Sequence, residues 1–142
     1  MITLPPSANT INHVDAKTEI NAADLLREAS ATAYRFSELQ LLQHLKTYLG
    51  RPLIAHITGI ADANTVSRWS SGKACPDRAT WERLRTLATV HIALSEIVGS
   101  PKSAGQWFTG LNPDLGDQMP ADKLRQGQTS QVFAAVRLLA QQ

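Results

Sequence analysis

The chain has 142 residues, enough for one domain or two small ones, with an apolar fraction ordinary for a globular protein and a net charge of +2. That charge is too small to argue a nucleic-acid partner by itself, and no apolar run approaches the ~20 residues that span a bilayer. The single cysteine, Cys75, permits no internal disulfide, and the opening residues lack the basic start and apolar stretch of a secretory signal, so a cytoplasmic protein with no membrane partner is expected.

Residues 1–18 are polar, carry Pro5-Pro6 and show no periodicity, which reads as a flexible arm. Asn21 is placed to cap a helix through Leu25, Leu26 and Ala29. In FSELQLLQHLKTYLG, Ser37 and Gln40 have capping-box spacing, Leu41, Leu42, Leu45, Tyr48 and Leu49 form an apolar stripe, and Gly50 ends the helix. RPLIAHITGIADANTVSRWSSG then predicts two short helices about a turn. Pro52 suits an early helical position, Leu53, Ile54, Ala55 and Ile57 pack, Gly59 turns the chain, Ile60 plugs the core and Asp62 caps the second helix. Gly72 stops that helix, and Pro76-Asp77 open a longer one with a stripe of Trp81, Leu84, Leu87, Ala88, His91, Leu94 and Val98. Gly99-Ser100-Pro101 reads as a hinge. Beyond it come short apolar pieces joined by Gly and Pro turns, then a last helix from about Ser130 with Val132, Phe133, Val136, Leu139 and Ala140 on its apolar side. No strand alternation and no repeat is present, so the fold class is all-α.

Two helices about a glycine turn are the signature of the helix-turn-helix, whose second helix offers its N-terminal residues to base edges in the major groove. Here Asn64 suits adenine, Arg68 suits guanine or phosphate, and Thr65 and Ser67 suit either bases or phosphates. Lys73 and Arg78, just past that helix, suit backbone contacts that fix register. From Arg51 to Arg85 the basic residues are Arg51, Arg68, Lys73, Arg78, Arg83 and Arg85, against Asp62, Asp77 and Glu82, a local excess that fits a phosphate-facing surface. A plain αα-hairpin with a polar exterior is the alternative; the donor-rich free face and the buried Val66 and Trp69 weigh against it. Enzyme readings are weak. His13, His44, His56 and His91 have no metal-ligand spacing, Cys75 has no His–Asn or His–Asp companion, and no Gly-rich phosphate loop is present. His91, on an apolar stripe, reads as a core or boundary residue. No cofactor is expected.

TVSRWSSGKACPDRATWERLRTL resembles the Xre-type helix-turn-helix of bacterial repressors. WFTGLNPDLGDQMPADKL, with the final helix, is similar to the C-terminal toxin-binding segment of the Xre/MbcA/ParS antitoxin family, through Trp107, Asn112-Pro113, Leu115-Gly116, Pro120 and Leu124. The two resemblances cover about Leu41 to the C-terminus, and their combination in this order is far more specific than the helix-turn-helix alone. The resemblance implies an antitoxin of a type II toxin–antitoxin module. Its partner would be a RES-domain toxin that degrades NAD, silenced when the antitoxin covers the toxin's active site. Its second partner would be operator DNA, bound to repress its own operon. It also implies homo-oligomers and hetero-oligomers with the toxin. A stand-alone helix-turn-helix regulator, dimerised through its C-terminal segment, is the alternative.

The expected organisation is therefore a flexible arm at 1–18, a helical DNA-binding domain at 19–98 and a toxin-binding segment at 99–142. Within the last, Trp107, Asn112, Pro113, Leu115, Phe133 and Arg137 are the candidate toxin contacts, with Trp107 and Phe133 as aromatic anchors and Arg137 as the candidate for an anionic, NAD-phosphate-like subsite. On this division a chain cut after Ser100 is expected to keep operator binding and lose neutralisation.

Overall fold

A computed structural model describes residues 22–142; the expected arm at 1–18 and the expected cap Asn21 lie outside the described residues. The described chain is all-α: α1 (residues 22–35), α2 (Glu38–Tyr48), α3 (Arg51–Thr58), α4 (Asn64–Ser70), α5 (Arg78–Val98), α6 (Pro101–Trp107), a short 3-10 turn (Pro113–Leu115), α7 (Pro120–Arg125) and α8 (Thr129–Ala140). The one β-type pairing among the described residues is an isolated bridge between Asn112 and Gln118.

The capping chemistry follows from the sequence. Ser37 and Gln40 complete a reciprocal capping box at α2, and the Asp77 carboxylate accepts from the Thr80 N–H at 2.8 Å to open α5. Asp62 does not take the expected cap position of α4, which falls to Ala63 with no side-chain cap; its carboxylate instead accepts from the Asn64 N–H at 2.9 Å in the turn just before. Gly59 and Gly72 close α3 and α4 at φ 78° and 79°, backbone that a side chain would strain.

α5 is the central element. Leu84, Leu87, Ala88, Val90, Ala93 and Leu94 bury one broad face of it, and α2, α3, α6 and α8 pack around it. Two stripe positions depart from expectation: Val98 is exposed at the end of α5, and Tyr48 is more than a third exposed at the end of α2. Both lie in the last turn of their helices.

Gly99-Ser100-Pro101 is a capped corner rather than a hinge. Gly99 ends α5 in the left-handed region, Ser100 caps α6 by accepting from Ser103 N–H, and α6 folds straight back onto α5. One hydrophobic core then runs across residue 99, combining Leu41, Ile57 and Leu87 with Ala104, Phe108, Leu124, Val132 and Val136. Gly105 brings α6 against the end of α2: a Cβ there would meet the Tyr48 carbonyl oxygen well inside van der Waals contact. Residues 99–142 thus contribute to the same core as the preceding helices.

Candidate functional site

α4 is one helix of seven residues, too short to persist alone, and is held by Val66 and Trp69. These two side chains fix which way the helix faces. At 3.6 residues per turn the opposite face carries Asn64, Ser67, Arg68 and Ser71 in i, i+3, i+4, i+7 spacing. Asn64 and Arg68 are exposed, Ser67 is half-buried, and Thr65 stands half-buried on the flank. Lys73 is exposed in the turn that follows, its N–H bonded to the Arg68 carbonyl at 2.9 Å. Arg78 is exposed as the first residue of α5. The structure thus brings Asn64, Ser67 and Arg68 onto one face, with Lys73 at its end.

The basic run divides into two kinds. Arg85 donates to the Ala33 and Phe36 carbonyls at 2.7 and 3.3 Å, and Arg83 donates to the Ile57 carbonyl at 3.3 Å. These two tie helices together. Arg51, Arg68, Lys73 and Arg78 remain on the surface. Arg51 carries a feature missing from the sequence reading: its Nη1 donates to the Ser67 Oγ at 2.6 Å, from the first residue of α3 to the outward face of α4. Sixteen residues separate the pair, so sequence spacing gave no signal for it.

In the C-terminal segment the candidate contacts separate by exposure. Asn112 is half-buried, caps the 3-10 turn by accepting from the Asp114 N–H at 2.9 Å, and pairs with Gln118. Pro113 and Arg137 are exposed; Trp107 and Phe133 are half-buried and packed on the core. Leu115 is only 3% exposed, so it serves packing here and offers no surface to a partner. Trp107 lies edge-on to the fully buried Phe108, ring centroids 5.6 Å apart. Beside Trp107, a groove of about 410 Å³ is lined by Leu111, Asn112, Pro113, Ala135 and Leu139. Leu111, absent from the sequence-based set, is 73% exposed at its rim. Its signal was available in GLNP, an apolar residue set among turn formers.

The two surfaces are joined at the end of α3. There His56 Nε2 pairs with Asp122 Oδ1 of α7 at 2.6 Å, and Arg125 donates to the His56 carbonyl at 2.8 Å. A second histidine pair is interior. His91 Nε2–H donates to the Pro101 carbonyl at 2.9 Å, which leaves Nδ1 to accept from His44 Nε2–H at 2.9 Å. The Tyr48 ring stacks on His91 at 5.2 Å. Burial, aided by His91, pushes the His44 imidazole down to about 4. Burial also holds His91 below its usual value, partly opposed by the Pro101 carbonyl. This makes His91 a satisfied core residue. Among the described residues no group of His, Cys, Asp and Glu is placed to hold a metal ion, and no helix is long and apolar enough to cross a membrane.

No family model matches the chain. It is 33% identical over 81 residues to the mycobacterial cidal antitoxin MbcA of Mycobacterium tuberculosis and of Mycobacterium bovis, spanning 57% of this chain and 71% of those relatives. The chain belongs to the MbcA antitoxin family. Its fold is also similar to a chain in the crystal structure of the M. tuberculosis MbcT–MbcA toxin–antitoxin complex, with a TM-score of 0.58, 26% identity, and coverage of 72% of this chain and 92% of that one. Membership accords with the all-α architecture.

Proposed function

We propose that this antitoxin belongs to a type II module with an Xre-type helix-turn-helix, that it neutralises a RES-type, NAD-degrading toxin, and that it represses its own operon in the cytoplasm. Kinship with MbcA carries the antitoxin part. Residues 99–142 lay the groove beside Trp107 against the toxin and cover its active-site entrance. Leu111 and Pro113 supply apolar contact at the rim, and Arg137 reaches toward an anionic subsite. α4 enters the major groove of operator DNA, with Asn64 and Arg68 on bases and Thr65 and Ser67 on bases or phosphates. Lys73 and Arg78 hold the phosphate backbone. The protein works as an oligomer with itself and with the toxin.

The test is co-expression with the product of the adjacent reading frame. Growth should be arrested by that product alone and restored by the antitoxin, the two should co-purify, and the arrested cells should lose NAD. Arrest without NAD loss would remove the RES assignment and leave the antitoxin role. Absence of any complex would favour the stand-alone regulator.

A further inference from the structure

We propose that Arg51 and Ser67 form one phosphate-binding unit at the edge of α4. The inference rests on the DNA-binding reading above and adds a contact that reading does not contain. Arg51 is exposed at the start of α3, and no carboxylate among the described residues pairs with it. The first turn of α3 contains no acidic residue, so a fixed cation there meets the positive end of the helix dipole uncompensated. That placement is unfavourable for the free protein and becomes favourable when an anion arrives.

The bond from Arg51 Nη1 to Ser67 Oγ at 2.6 Å swings the guanidinium toward the face that carries Asn64 and Arg68. One N–H is used in that bond. The others remain in the planar fork that matches two phosphate oxygens. Ser67 Oγ, accepting from Arg51, keeps its own O–H to donate to the same phosphate. The first helix of a helix-turn-helix crosses the DNA backbone, which puts Arg51 beside a phosphate when α4 lies in the groove. The unit positions the protein without reading sequence.

Binding to a random-sequence duplex of three helical turns, followed by fluorescence anisotropy across a salt series, tests the unit without knowledge of the operator. Arg51→Ala should weaken binding about tenfold and reduce the slope of log affinity against log salt by about 1, equally on a duplex from upstream of its own gene. Arg51→Lys should restore the slope. Ser67→Ala should lose part of the affinity, and the double variant should lose less than the sum of the two single losses, since each group orients the other on the phosphate. Circular dichroism should show all four variants folded. An unchanged slope for Arg51→Ala, or additive losses in the double variant, overturns the unit. If Arg68→Ala still weakens upstream-duplex binding in that case, the groove assignment stands and only the unit fails. A parent protein that binds no duplex overturns both.

Discussion

On α4, Asn64, Ser67 and Arg68 project from a helix anchored from behind by Val66 and Trp69. In the C-terminal segment, Leu115, Val132 and Val136 face inward, while Leu111, Pro113 and Arg137 remain outside. The first surface can be changed residue by residue with the fold intact. The second is the outer side of a segment that also completes the core, so removing it removes core as well as surface.

The largest effect follows from that contrast. A chain cut after Ser100 loses Ala104, Phe108, Leu124, Val132 and Val136 from the shared core, together with the Asp122 and Arg125 contacts to the end of α3. This changes the expectation that the truncation keeps operator binding: cooperative unfolding should be lost, and both activities with it. A melting curve of the truncated chain decides the point. A sharp transition with operator binding retained would show that residues before 101 fold alone.

Trp69→Ala should come next, at about 3–5 kcal/mol, since a nearly buried aromatic leaves a cavity behind α4. Melting temperature and DNA affinity should fall together. Parent-like stability would mean that α4 is held by something other than Trp69. Gly105→Ala should cost about 1–3 kcal/mol, because the new methyl meets a backbone carbonyl that cannot turn away. Its effect should be on stability first and toxin binding second, read by denaturant titration beside a pull-down.

Arg68→Ala and Asn64→Ala should each weaken operator binding by about 1–3 kcal/mol with no loss of stability, whereas Leu111→Ala should weaken toxin binding and leave DNA binding unchanged. Gel shifts and inhibition assays on the same three preparations would expose any crossover between the two surfaces.

The helices, their caps and the outward face of α4 were legible in the sequence because each is set by neighbours three or four residues away. Ser37 with Gln40, Asp77 with Thr80, and Val66 with Trp69 are all local pairs. What was not legible depends on distant partners. The Gly99-Ser100-Pro101 corner has the composition of a hinge, and the packing of α6 on α5 that folds the chain back there is set by contacts outside the motif. Arg83, Arg85 and Arg51 read as equivalent basic residues, yet two bind carbonyls and one points at Ser67. Leu115 matches a resemblance to toxin-binding segments and is nevertheless buried under α8, because the 3-10 turn it closes folds inward.

The smallest effect separates the interior histidine pair from the surface of both regions. His44 is held at about 4, and His91 below its usual value, so the folded protein binds fewer protons than the unfolded chain below pH 6.5. Stability is therefore complete above about pH 6.5 and declines as the pH falls toward 4. Asp77, lowered by its bond to Thr80, contributes only at still lower pH, near and below the ordinary carboxylate range. Because His44 is partly exposed, solvent screening reduces the effect. A loss of about 1 kcal/mol between pH 6.5 and pH 5 is expected, roughly 5 °C in melting temperature for a domain of this size. The double variant His44→Leu/His91→Leu removes both partners of the bond and should flatten that window, at a uniform cost of about 1–3 kcal/mol because the Pro101 carbonyl loses its donor. The Asn64, Arg68 and Leu111 variants should keep the parent's slope. If the double variant retains it as well, the acid sensitivity arises outside this pair.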